Sequence, residues 1–139
     1  MKYLLFLLTA FHKPVVDTEL VNLRITVTNI KVIKGDIQLG IFNKEDTFLK
    51  PGKEYRRYTQ SVTSDSVVIT LKAMKKDSYA ISIYHDLNSD YTCNLNFLGI
   101  PTEPYGFSNN YKPIFSKPSF SNCRFNMRSD RAITIKLIR

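Results

Sequence analysis

Histidine and cysteine are scarce in this chain, two of each in 139 residues, and they do not cluster at the spacing a zinc site requires. No glycine-rich stretch is built to cradle a phosphate, and no glycine–serine elbow presents a nucleophile. Arginine-rich arms are missing as well. The net charge of +8 points to an anionic partner, whether nucleic acid, a lipid surface or an acidic glycan. The cations are nevertheless scattered, the densest groups being "EYRRYTQ" and "LKAMKKD", which argues against nucleic-acid binding. No apolar run reaches the length of a membrane span; the run from Tyr3 to Phe11 falls well short. Repeats, low-complexity tracts and interdomain linkers are absent too, so the chain reads as one domain with a single core.

The opening "MKYLLFLLTAF" joins a positive end to an apolar centre, the pattern of a secretory signal. Residues 1–12 are therefore expected to direct export, making the product periplasmic or secreted, and residues 19–139 to form the folded domain. No cysteine lies near this segment, so a lipid-anchored form of the signal is not expected. Cys93 and Cys123 permit one pairing, which an oxidising compartment would favour. Closing that loop of about thirty residues contributes roughly 3 to 4 kcal/mol in the chain-entropy model. The other reading makes Cys123, in phase with Phe125 and Met127, a small core residue.

Period-two alternation recurs along the chain, with no sustained helical period. Leu23, Ile25 and Val27 share one face of "NLRITVTNI", and Ile37, Leu39 and Ile41 share one face of "DIQLGIFN" after the turn at Lys34-Gly35-Asp36. "EYRRYTQSV" follows the turn Lys50-Pro51-Gly52-Lys53, and "SVVITLK", "SYAISIYH", "SNCRFNM" and "RAITIKLI" complete the set. About seven short strands separated by turn signals predict an all-β, antiparallel sandwich. One long loop, from residue 86 to 118, interrupts the spacing, and loops of that length tend to be functional.

That loop carries the candidate sites. Asp86, Asn88, Asp90 and Asn94 space oxygens as the start of a calcium loop does, with Glu103 available to fold back. However, Tyr91 stands where the turn glycine belongs, and Phe97 where the closing glutamate belongs. The other reading makes these residues turn formers that bind their own backbone. His85 offers a general base, but Asp86 beside it points to the opposite face of a strand. His85 runs in phase with Ile81 and Ile83, so it reads as a core-edge residue and a His85 hydrolase ranks last. Phe97, Leu98, Ile100, Tyr105 and Phe107 are expected to pack the loop on itself. His85, Tyr105, Phe107, Asn109, Asn110 and Tyr111 together make the expected binding surface.

The run "YAISIYHDLNSD…NLNFLGIPTEPYGFSNN" resembles the bacterial "domain of unknown function 2141" family. Tyr79, Ala80, His85, Asp86, Asn88, Asn96, Gly99, Pro101, Glu103 and the six residues from Tyr105 to Asn110 match its pattern. Asp90-Tyr91 replaces a family-like Asn-Gly, and Cys93-Asn94 replaces a Leu-Asp. The resemblance implies a small exported sandwich of immunoglobulin or prealbumin type, with no established activity. The combined expectation is a noncatalytic envelope module that binds a protein complex or a glycan and needs no cofactor. A weak calcium module is the alternative.

Overall fold

The computed structural model describes residues 19–139; the expected export segment, residues 1–12, lies outside the described residues. Eight strands follow in order: β1 (Val21–Thr28), β2 (Asp36–Phe42), β3 (Arg56–Ser61), β4 (Val67–Met74), β5 (Asp77–Asp86), β6 (Tyr105–Phe107), β7 (Phe125–Met127) and β8 (Arg131–Lys136). All seven expected strands are present, and β6 adds an eighth from inside the long loop. The stretch from Ser121 to Cys123, expected as the start of β7, is instead a helical turn, α1 (Phe120–Cys123). Ser119 explains the difference. Its hydroxyl accepts the Asn122 N–H while the Asn122 side chain accepts the Ser119 N–H, a reciprocal cap that fixes a helix start.

The strands form two sheets, β4-β1-β8 and β3-β2-β5-β6, with β7 paired to the first residues of β5. Pairing is antiparallel except between β1 and β8, which run parallel from Leu23↔Arg131 to Thr28↔Lys136. The faces that alternation picked out meet between the sheets. Leu23, Ile25 and Val27 from β1 join Ile37, Leu39 and Ile41 from β2, Ile81 and Ile83 from β5 and Ile135 from β8 in one buried cluster. Each sheet covers the other's apolar face, which is why the exposed sides of these strands can be polar.

The second sheet is also covered on part of its outer face. Phe42 and Ala80, register partners on β2 and β5, pack with Phe48, Phe107, Phe120 and Cys123 in a smaller cluster. Phe48 stands edge-on to Phe42 at 5.3 Å and to Phe120 at 5.9 Å, the arrangement favoured by the ring quadrupoles. This cluster seats β6. Gly106 on β6 passes so close to β8 that a Cβ there would sit 2.9 Å from the Ile135 side chain. Ser108, fully buried, accepts the Ile81 N–H at 2.9 Å and also bonds the Cys123 carbonyl.

Of the two readings of the cysteines, the Cys93–Cys123 pairing is not formed: both thiols are free. Cys123 is enclosed by the aromatic cluster, and burial pushes its thiol up to about 12. Cys93 lies half-buried on the long loop, its thiol raised by burial and then by the Glu103 carboxylate. Both shifts disfavour the thiolate, the reactive form of the side chain. Protein purified without reductant and then denatured should therefore release two titratable thiols per chain. A count of zero, with loss of stability on reduction, would restore the crosslink.

Candidate functional site

The last residue of β5, Asp86, is fully buried although it carries a carboxylate. Its oxygens accept the N–H groups of Asp90 at 3.1 Å and Tyr91 at 2.8 Å. Across the loop, buried Glu103 accepts the Leu87 N–H at 2.9 Å, and the His85 N–H reaches the Pro104 carbonyl at 2.7 Å. The two acids thus close the base of the 87–104 segment from both sides. Gly35 completes this base from the β1–β2 connection. Its φ is +69°, and a Cβ there would lie 2.2 Å from the Asp86 carbonyl oxygen, so no larger residue fits.

Above the base the segment becomes a tight hairpin. Asp90 accepts the Thr92 N–H at 2.9 Å and the side-chain amides of Asn88 and Asn94. These contacts hold its carboxyl below the usual range, the Thr92 N–H contributing most. Asn94 and Thr102 are joined by N–H and hydroxyl donors from Thr102, and Leu95 bridges Pro101. At the tip, the Asn96 side chain accepts the N–H groups of Leu98 and Ile100 at 2.9 and 3.0 Å. The hairpin is therefore held by its own polar side chains rather than by an apolar filling.

This arrangement assigns the expected site residues. Asp86, Asn88 and Asp90 turn side-chain oxygens to the loop's own N–H groups, while Asn94 donates its side-chain amide to Asp90 and offers its backbone carbonyl to Thr102. Among the described residues, no three His, Cys, Asp or Glu side chains come together as a metal site would need. His85 is fully buried; its Nε2–H donates to the Lys34 carbonyl at 2.7 Å, and Nδ1 has no partner among the described residues. It belongs to the core and is removed from the expected binding surface. Phe107 is buried in the second cluster and is removed as well.

Asn109 and Asn110 are exposed, yet their amides bind the frame. Asn109 donates to the carbonyls of Asn122 and Arg124. Asn110 donates to the Thr134 carbonyl and accepts the Lys136 N–H. Tyr105 and Tyr111 are half-buried against the same cluster. Of the six residues, His85 and Phe107 are buried, Tyr105 and Tyr111 are half-buried, and Asn109 and Asn110 are exposed while their amides tie the segment after β6 to its neighbours.

The open surface lies where self-packing was expected. Phe97 is 95% exposed and Leu98 68%, with Tyr91, Leu95 and Ile100 also outside. The signal was the turn chemistry around Asn96 and Gly99, which places the intervening Phe97 and Leu98 at the apex. An apolar tip held in shape by hydrogen bonds can insert into a groove on another molecule at a lower ordering cost.

No curated protein and no solved structure matches the chain significantly. A family described as an uncharacterized protein conserved in bacteria (DUF2141) matches residues 25–136, and the chain belongs to that family.

Proposed function

We propose that the chain is a noncatalytic, exported binding module of the bacterial cell envelope, which docks the 94–102 hairpin into an apolar groove of an envelope protein. The observation that carries this reading is the contrast within one loop. Its polar residues are buried or bonded at the base, while Phe97 and Leu98 stand free at the tip. Exposed apolar side chains on a preordered turn form an interface hot spot at low entropic cost. The apolar N-terminal run supports export. The burial of His85 and the raised thiols support a noncatalytic role.

In this reading the base makes the hairpin, and calcium is dispensable. Asp86→Ala leaves two N–H groups without their acceptor and should cost roughly 3 kcal/mol in urea denaturation. Phe97→Ser should stay within about 0.5 kcal/mol of the parent, as exposed substitutions do. The parent's melting temperature should be the same in millimolar calcium and in chelator. A calcium-dependent rise of several degrees that Asp86→Ala abolishes would make the segment an ion-ordered loop instead.

Docking itself is read by a photocrosslinking phenylalanine analogue at position 97 in the intact envelope. A discrete adduct that disappears in the Leu98→Ser background supports the hairpin as the contact. No adduct, or the same adducts from exposed position 63, would refute it.

A further inference from the structure

A second exposed tip differs from the hairpin in its charge. Tyr111 rests on the aromatic cluster, and Pro118 and Phe120 are buried, so residues 112–117, "KPIFSK", leave the surface as a short excursion anchored at both ends. Pro113 and Pro118 restrict its backbone. Ile114 is 81% exposed and Phe115 99%, with Lys112 and Lys117 exposed on either side. Lys112 also lines a surface pocket of about 260 Å³ with Lys136, Tyr111, Asn110, Gly106 and Ile138. Among the described residues none of these three lysines joins an ion pair.

Single exposed apolar residues are ordinary, so the charge decides. From residue 104 to the end the sequence has seven Lys and Arg against one acid, Asp130, and thus six of the eight net positive charges. Asp130 accepts the Asn22 backbone N–H at 2.7 Å. The hairpin has the opposite balance. No Lys or Arg occurs between Lys76 and Lys112, while Asp86, Asp90 and Glu103 all lie there. The 112–117 excursion joins its apolar tip to cations, the combination that seats peripheral proteins on an anionic bilayer. Its Ile114 and Phe115 stand much further out than Val32 and Ile33 between Lys31 and Lys34, which are 43% and 51% exposed.

We propose that this excursion is a membrane-docking loop for anionic phospholipid. Ile114 and Phe115 enter the boundary between headgroups and acyl chains, and Lys112, Lys117 and Lys136 contact headgroup phosphates. The pocket between Lys112 and Lys136 holds one such phosphate at the bilayer surface.

The chain contains no tryptophan, so Phe115→Trp provides a single indole, excited selectively over the tyrosines, at a position whose exposure leaves the fold intact. In the full chain, its emission should shift blue on phosphatidylglycerol vesicles and be quenched by brominated acyl chains. Phosphatidylcholine vesicles should leave it unchanged. The N-terminal apolar run is common to every variant, so binding through it alone would leave the indole emission unshifted. Lys112→Gln with Lys117→Gln should weaken partitioning at least roughly tenfold, and raised salt should act in the same direction. The companion variant Phe97→Trp should show no shift.

The proposal would be overturned by no shift of the Phe115→Trp emission, by an equal shift on phosphatidylcholine, or by a shift at Phe97→Trp alone. Loss of vesicle binding in millimolar glycerol phosphate would also overturn it, because the site would then be for a soluble anion.

Discussion

The buried carboxylate of Asp86 is the contact on which the functional end of the molecule depends. A carboxylate without water must have its lone pairs taken up by donors, and here those donors are the N–H groups of Asp90 and Tyr91. That requirement turns the chain sharply as it leaves β5. Every later feature of the 87–104 segment follows: Asp90 gathers the next amides, Asn94 and Thr102 close the stem, and Asn96 caps the apex. Tyr91 has φ of +61°, a backbone state that costs a residue with a Cβ about 1 kcal/mol or more. The bond from its N–H to Asp86 stabilises that state.

The same economy separates scaffold from surface in the neighbouring motif. Ser108, Asn109 and Asn110 are polar and lie outside regular strands, features that suit a ligand site. Their donors and acceptors instead tie β6 to β5, α1 and β8. Apolar residues, conversely, stand furthest out in water at two tips, Phe97-Leu98 and Ile114-Phe115. One tip is acidic at its root and tied by hydrogen bonds; the other is flanked by lysines. A module with these two tips can rest on a lipid surface through one and engage a protein through the other.

Much of the frame was legible in the sequence because the core strands alternate with a clear period, as in Leu23-Ile25-Val27 and Ile37-Leu39-Ile41. β6 was not, since three residues show no period and its pairing depends on Ser108 and on the space Gly106 leaves beside Ile135. At Asp86, Asn88 and Asp90, one spacing serves equally for an ion shell and for a series of Asx turns. Burial decides between those uses, and burial comes from strands distant in sequence. Cys93 and Cys123 suggested a crosslink, but one sits on the hairpin segment and the other inside the aromatic cluster. The cations after residue 104 are spread along the sequence rather than clustered, so their concentration at this end of the chain does not form a dense local motif. In the fold, Lys112 and Lys136 line one pocket from different elements.

Amide hydrogen exchange of the free protein, followed residue by residue, tests the central claim that the hairpin is prebuilt on Asp86 and Glu103. Leu87, Asp90, Tyr91, Ile100 and Thr102 should exchange slowly without calcium or any partner, and Phe97 at the apex should exchange quickly. Uniformly fast exchange from residue 87 to 104, slowed only by an added ion or partner, would contradict the account.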